Sequence, residues 1–329
     1  MKVLTIGIPT YNGAKTISDA IESVVTQFDD DIIELVNILI SDNKSTDNVY
    51  EICKCYCDKY PNNIRVVKNN KIGSGIDDNL INIFSNSNDS FVWLLSDDDA
   101  LEKNSLKQVL EIIKNNDELG LLFSNYSECD QSLNYLSHRL REDIDKNIYC
   151  ENGDKFIVQS KMLFGLISSL IFNRVAWNSS DFSTYYGMHS LHVGAIIEIM
   201  SSYKAYIISD KLVKLRTGAT SWGKNGTFIF PILNIVIMLK NLKKKNYSLS
   251  TWNYATNYFY QSNYLSLLKA KYAGLTDYKK TYLLNKKCYG HKPLFWIRDL
   301  PIIFIPGFIV RGAVKLLNVY RIKEDSLSV

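Results

Sequence analysis

The spacing of short apolar runs over the first 126 residues constrains this chain more than any other feature. Residues 3–8, 36–40, 64–67, 91–95 and 121–124 are strand-prone apolar runs bounded by polar residues. Each is too short for a typical helix and reads as a buried strand. Helical segments lie between them. Ile17, Ala20, Ile21, Val24 and Val25 share one helical face; the next segment carries Cys53, Cys55 and Cys57; residues 77–84 and 105–113 complete the set. This alternation predicts an α/β fold, a mainly parallel central sheet with helices on both faces. Ligands of such sheets sit beyond the carboxyl ends of the strands. The polar residues that end each run are therefore the first candidates for function.

The fourth run, Phe91-Val92-Trp93-Leu94-Leu95, passes directly into Ser96-Asp97-Asp98-Asp99. Three adjacent carboxylates repel one another, and a hard divalent cation with oxygen ligands is the commonest offset. The plainer alternative is a solvated acidic turn that caps the next helix. The first run ends in Pro9-Thr10-Tyr11-Asn12-Gly13, where Asn-Gly is turn chemistry. The second ends in Ser41-Asp42-Asn43-Lys44-Ser45-Thr46-Asp47, with Ser45 or Thr46 a candidate N-cap for the following helix. These ends converge on one sheet edge. A nucleotide laid across that edge needs a carboxylate for its base or ribose, backbone N–H groups near its phosphates, and a cation against the diphosphate charge. Asp42 suits the first role and the three Asp the last. Gly73-Ser74-Gly75 lacks a third glycine and follows the third strand, so it is not a dinucleotide fingerprint.

Ile8-Pro9-Thr10-Tyr11-Asn12, the 41–47 segment and Ser96-Asp97-Asp98-Asp99, in that order on strand ends, resemble the hallmarks of family 2 glycosyltransferases with the GT-A fold. The resemblance covers about residues 1–126. It implies that Pro9, Thr10, Tyr11, Asn12 and Asp42 hold the nucleotide of a sugar donor, and that Asp97 with its neighbours contacts the same ligand. It implies Mg²⁺ or Mn²⁺ bridging the diphosphate from Asp97, Asp98 and Asp99. Many members carry a further Asp where this chain has Ser96, which leaves the ligand set to be read from the fold. A narrower resemblance, to the abequosyltransferase-like branch, rests on residues 93–101, Ser168-Ser169-Leu170-Ile171 and His192-Val193. That branch implies a (di)deoxyhexose donor, CDP-sugar favoured, and a polyprenyl-diphosphate-linked oligosaccharide acceptor in O-antigen and lipopolysaccharide assembly. Another family 2 enzyme, a rhamnosyl- or galactosyltransferase, is the near alternative. A sugar-phosphate nucleotidyltransferase is the alternative from another class, but it needs a Gly-rich basic loop after the first strand, which residues 9–13 are not.

Beyond residue 126 the pattern loosens. Residues 127–155 read as polar loop, with basic and His side chains clustered in 138–146; 168–173, 205–209 and 212–215 as short strands; and 193–200 as a helix. An inverting transferase needs a base to deprotonate the acceptor hydroxyl. The candidates here are Asp181, His192 and Glu198, with His189 nearby. Arg216, after an inner strand, is placed to pair with a phosphate. The expected organisation is a GT-A domain over 1–220, its nucleotide-sugar half at 1–126 and its acceptor half at 127–220, followed by a helical, basic region over 221–329.

Charge divides the chain in the same way. Residues 1–210 hold 18 Lys and Arg against 30 Asp and Glu, and residues 211–329 hold 20 against 4. A basic third rich in aromatic residues, with Phe295, Trp296 and Phe304 beside Arg and Lys, suits an anionic membrane surface; nucleic acid is not expected. No apolar run reaches the ~18 residues that span a bilayer, and the apolar start is too short for a signal-peptide core. The expected location is cytoplasmic, peripheral on the inner face of the cell membrane. The six cysteines are expected to be reduced and mostly buried, since no second Cys/His pair completes a zinc site.

Overall fold

In the computed structural model, residues 2–69, 75–136, 144–217 and 226–315 are described. The expectations that fall on Gly73 and Ser74, on 138–143 and on 316–329 lie outside them. The chain divides into two units, Met1–Ala219 with Asn241–Trp252, and Thr220–Lys240 with Asn253–Val329.

The first unit is built on one sheet. Its strands are β1 (Leu4–Thr10), β2 (Val36–Asp42), β3 (Ile64–Lys68), β4 (Phe91–Leu94), β5 (Ala100–Leu101), β6 (Leu119–Cys129), β7 (Ile148–Cys150), β8 (Leu170–Asn173) and β9 (Lys204–Arg216). The order is β3-β2-β1-β4-β8-β6-β9-β5, with β7 also on β9. Strands β3, β2, β1 and β4 are parallel, as the alternation requires. The connecting helices are α1 (Ile17–Val25), α2 (Ile32–Leu35), α3 (Val49–Lys59), α4 (Ile76–Asn86) and α5 (Ser105–Asn115). Every residue of β1 is buried, which is the state of a central strand covered on both faces. Each fully buried Leu or Ile there contributes about 1.5–3 kcal/mol. Gly7 is required at the centre of β1, because a Cβ would meet Ile83 Cγ2 at 2.5 Å and hold α4 off the sheet.

The other half of the sheet is mixed. β8 inserts antiparallel between β4 and β6. β6 then pairs parallel with β9, with register breaks around Ser124 and Asn125. The segments expected as strands at 205–209 and 212–215 are thus one bulged strand, and the segment from 127 is not all loop, since β6 continues to Cys129 and β7 follows. The remaining helices of this unit are α6 (Gly153–Gln159), α7 (Arg174–Asn178) and α8 (Leu191–Ile199). Phe84 of α4 stacks on Trp177 of α7 at 3.6 Å between ring centroids, and Trp177 meets Phe172 edge-on at 5.2 Å. This aromatic contact fixes the sheet's mixed half against the helix that follows β3.

The second unit is helical. It is drawn from α9 (Ile229–Leu239), α10 (Leu249–Tyr272), α11 (Tyr278–Tyr289), a π-helical turn Phe295–Asp299 and α12 (Leu300–Phe304). Its core gathers Ile229, Leu233, Val236, Leu267, Tyr289, Phe295 and Ile303. Asn263 and Arg298 satisfy the buried Asp299 carboxylate, at 2.8 and 2.5 Å. Among the described residues no helix is long and apolar enough to cross a membrane. All six cysteines are free; Cys55 is exposed, Cys57 partly so, and the other four are buried. Burial pushes the Cys53 thiol up to about 12, so it stays protonated.

Candidate active site

The ends of β1 and β2 are sewn together by side-chain-to-backbone hydrogen bonds. Asn12 sits in the left-handed region at φ 56°, and its N–H donates to Ser45 Oγ at 2.8 Å. The Asn12 side-chain oxygen accepts the Thr46 N–H at 2.7 Å. Ala14 N–H donates to Asp47 Oδ2 at 3.0 Å, and Ser45 N–H to Asp42 Oδ1 at 2.9 Å. Ser45 and Thr46 therefore tie the two turns together rather than capping α3. Asp47 takes the first turn instead, accepting the Val49 N–H at 3.2 Å. Tyr11 projects from this platform, exposed, while Pro9 and Thr10 are buried inside β1.

The end of β4 joins the same edge. The Thr10 hydroxyl donates to Asp97 Oδ2 at 2.5 Å. Burial pushes the Asp97 carboxyl up to about 6, with the Asp98 charge adding and the Thr10 hydroxyl opposing. Asp98 is partly exposed and accepts the Ser96 hydroxyl at Oδ1, 2.6 Å away. Asp99 turns inward. Its Oδ2 accepts the Ser168 hydroxyl at 2.5 Å and its Oδ1 the Arg216 N–H at 3.0 Å. Burial, then the Asp98 charge, holds Asp99 above the usual carboxylate range despite those donors. Ser168 also accepts the Ser96 N–H at 3.0 Å, and its carbonyl takes the Trp93 indole at 2.8 Å. The apolar run and the acidic turn are thus locked to the residues that precede β8.

Gly13 leaves the room this arrangement needs. A Cβ there would lie 2.1 Å from Asp97 Oδ2 and 2.6 Å from Thr10 Oγ1. Gly13→Ala is expected to break the Thr10–Asp97 hydrogen bond and weaken nucleotide binding by about tenfold, the equivalent of one net hydrogen bond of about 1–1.5 kcal/mol. Calorimetric titration of the variant against wild type checks this; an unchanged affinity would show that the contact does not shape the site.

The three Asp of the acidic turn differ in what holds them: Asp99 directs both oxygens at protein donors, Ser168 and Arg216, and among the described residues no three His, Cys, Asp or Glu groups are arranged to hold a metal. Asp97 and Asp98 remain as hard oxygen donors. Two carboxylates suit Mg²⁺ or Mn²⁺ that completes its shell with substrate phosphates and water, so the residues present fit such an ion.

Arg216 is not a bare phosphate partner. Its guanidinium is buried and donates to the Asp98 carbonyl at 2.7 Å, to the Gln131 carbonyl and to Asp19 Oδ2 at 2.6 Å. It is a clamp under the acidic turn.

The expected bases are not gathered at that turn. Asp181 lies in a loop and accepts the Ser183 N–H at 2.9 Å, which holds its carboxyl below the usual range. Glu198 accepts the Tyr185 hydroxyl at 2.8 Å and pairs with Lys245 at 2.7 Å. His192 is buried, pushed down to about 4 by that burial, and faces the Gly165 carbonyl at 3.1 Å. Among the described residues no hydrogen bond or ion pair joins any of the three to Asp97, Asp98 or Asp99.

Sequence reasoning missed the start of α4. Asp77 accepts N–H groups from Gly187 and His189 at Oδ2 and from Leu191 at Oδ1, at 3.0–3.1 Å. Asp78 accepts the Tyr186 hydroxyl at 2.5 Å. Asn79 donates to the Thr10 carbonyl at 3.2 Å and accepts the Ser41 hydroxyl at 2.9 Å. The pair of acids at a helix start reads locally as ordinary compensation of the helix dipole. Nothing local shows that they brace the segment before α8.

The fold is that of GT-A glycosyltransferases. A crystal structure of the 1–349 fragment of S. aureus TarS superposes with a TM-score of 0.60 at 15% identity, covering 96% of this chain and 92% of the fragment. The chain spans 43% of the longer TarS chain. A mannosyltransferase from Pyrobaculum calidifontis, solved with GDP-Man and Mn2+, gives a TM-score of 0.52 at 14% identity, covering 94% of this chain and 86% of its own. Residues 5–178 match the family model for glycosyl transferase family 2. The chain belongs to that family, in its abequosyltransferase-like branch: it is 28% identical over 262 residues to the abequosyltransferase RfbV of Salmonella typhimurium, covering 75% of this chain and 77% of that one.

Proposed function

We propose that this glycosyltransferase moves a (di)deoxyhexose such as abequose from a nucleotide diphosphate sugar, CDP-sugar favoured, to a polyprenyl-diphosphate-linked oligosaccharide. The setting is O-antigen assembly at the inner face of the cell membrane. The observation that carries the reading is that the end of β1 is bonded both to the turn after β2, through Asn12 and Ser45, and to Asp97 after β4, through Thr10, in a chain similar to an abequosyltransferase. The exposed Tyr11 ring offers a face for the nucleobase. Asp42, buried and accepting among the described residues only the Ser45 N–H at Oδ1, keeps capacity for a ribose or base donor. Asp97 and Asp98 would hold Mg²⁺ or Mn²⁺, as the mannosyltransferase complex with Mn2+ suggests. When bound, that ion offsets charge as the nucleoside diphosphate leaves. Arg216, Ser168 and Asp99 position the turn that carries those ligands. His192 holds the Gly165 carbonyl, three residues before Ser168 in the chain, at 3.1 Å.

The test offers the purified protein CDP-abequose and lipid-linked oligosaccharide, with dTDP-rhamnose and UDP-galactose as competing donors. Abequose transfer at a rate well above the competitors is the expected result. Transfer of rhamnose or galactose alone would make it another family 2 enzyme, and formation of a nucleotide sugar from sugar phosphate would place it in a different class.

The raised Asp97 sets a pH dependence. Unfolded, the carboxyl titrates at 3.8; folded, at about 6. Between those values the folded state binds more protons, so its stability falls as pH rises through that window. Asp99 shifts in the same direction. A divalent cation competes with the Asp97 proton, so its stabilising effect should grow between about pH 5 and 7. Melting temperatures in EDTA and in Mn²⁺ should diverge across that range. Parallel curves would show that the cation does not bind this carboxylate.

A further inference from the structure

The helical unit carries an apolar surface that its own core does not use. Along the continuous turn from Phe295 to Phe304, Phe295, Asp299 and Ile303 face inward and are buried. Ile297, Pro301 and Phe304, spaced i, i+4 and i+7, face outward. An ordinary surface helix presents polar residues there. This one presents Ile297 at 74% exposure, and Phe308 follows at 68%. Leu294, Trp296 and Ile309 are also exposed. The break at Pro306 and the short length of α12 exclude a spanning helix, so the patch lies at a surface.

The surrounding charge names the occupant. Residues 253–315 hold ten Lys and Arg and two Asp. Neither Asp faces the patch as free negative charge. Asp299 is buried against Arg298, and Asp277 caps α11 by accepting the Lys280 N–H at 2.9 Å. Lys286 lies 5.9 Å from the Trp296 ring, with Lys287 exposed beside it and Arg311 beyond Phe308. Large aliphatic and aromatic side chains rimmed by exposed lysines match a bilayer interface with anionic headgroups, where the apolar groups enter the acyl boundary and the cations meet the phosphates. A protein partner of ordinary surface would not need an excess of ten Lys and Arg over two Asp in residues 253–315.

We infer that Leu294, Trp296, Ile297, Phe304, Phe308 and Ile309 form a membrane-insertion face that docks this glycosyltransferase on anionic lipid. Arg298, engaged with Asp299, and the buried Phe295 are not part of it. The inference rests on the lipid-linked acceptor reading and gives that reading its physical surface.

The test floats the full chain with phosphatidylcholine vesicles containing none or about 30 mol% phosphatidylglycerol, while the melting shift given by nucleotide diphosphate and Mn²⁺ is read on the same samples. Wild type is expected to float with anionic vesicles, less so at high salt, and weakly with phosphatidylcholine alone. Ile297→Asp with Phe308→Asp should lower the bound fraction roughly tenfold or more, and Lys286→Glu with Lys287→Glu should lower it on anionic vesicles only. Both variants change exposed side chains, so the nucleotide shift should persist. Wild type that never floats, or an Asp variant that floats as wild type does, overturns the membrane face and leaves the transferase reading intact. Wild type that floats without any nucleotide shift supports the face and overturns the donor reading. A dimer that the Asp variant dissolves, without lipid binding, assigns the patch to a second copy and overturns the proposal.

Discussion

Asp98→Asn is expected to lower sugar transfer about 10²–10³-fold, the cost of removing one preorganised electrostatic stabiliser from an active site. The fold should not notice. Asp98 is partly exposed and accepts one side-chain hydrogen bond, from Ser96, which the Asn oxygen can still accept. A change of that kind at the surface stays within about 0.5 kcal/mol, or a degree or two in melting temperature for a chain of this size. Initial rates at saturating donor and Mn²⁺, paired with a melting curve, separate the two effects. Asp99→Asn is the contrasting control. Both Asp99 oxygens face donors, so an amide NH₂ must oppose either the Ser168 hydroxyl or the Arg216 N–H. That variant should lose stability first and activity as a consequence. Equal rates for Asp98→Asn and wild type, or full wild-type activity in EDTA, would remove the metal role.

Arg216→Met is expected to destabilise the first unit by about 1–3 kcal/mol. The substitution keeps the buried stem volume but leaves the Asp98 carbonyl without its donor, worth about 1–3 kcal/mol, while the Gln131 carbonyl belongs to an exposed residue and regains water. Asp19 adds little, because its side chain is 51% exposed and regains water. The acidic turn should loosen with it, raising KM for the donor more than it lowers kcat. Arg216→Lys should rescue little, since one ammonium cannot reach three acceptors set out for a planar fork. Urea denaturation gives the first quantity and steady-state kinetics the second. A stable variant with intact donor affinity would mean the clamp is not needed.

The parallel half of the fold was legible because its strands are buried on both faces, so the apolar runs are continuous and bounded by polar turns. β8 was harder to place. Its sequence reads as a strand, but local periodicity says nothing about insertion antiparallel between β4 and β6. β9 read as two pieces because Ser209-Asp210-Lys211 looks like a turn, whereas the sheet absorbs it as an irregularity in the pairing with β6. At the site, the acidic turn was visible and the division of labour within it was not. Asp99 is committed by Ser168 and by Arg216, which lie 69 and 117 residues further along the chain. The same limit applied to Phe295 and Trp296. They are aromatic neighbours in sequence, and the helix turn buries one and exposes the other.

The most direct measurement is a melting-temperature screen of CDP, UDP, GDP and dTDP, each with and without Mn²⁺, on wild type and Asp98→Asn. A ligand that binds only the folded state stabilises it by about 2.7 kcal/mol at a hundred times its Kd. The expected result is a shift that needs the cation, is largest with CDP, and is lost in Asp98→Asn. A shift by none of the four in Mn²⁺, or one that Asp98→Asn retains in full, would contradict a nucleotide-diphosphate site at the ends of β1, β2 and β4.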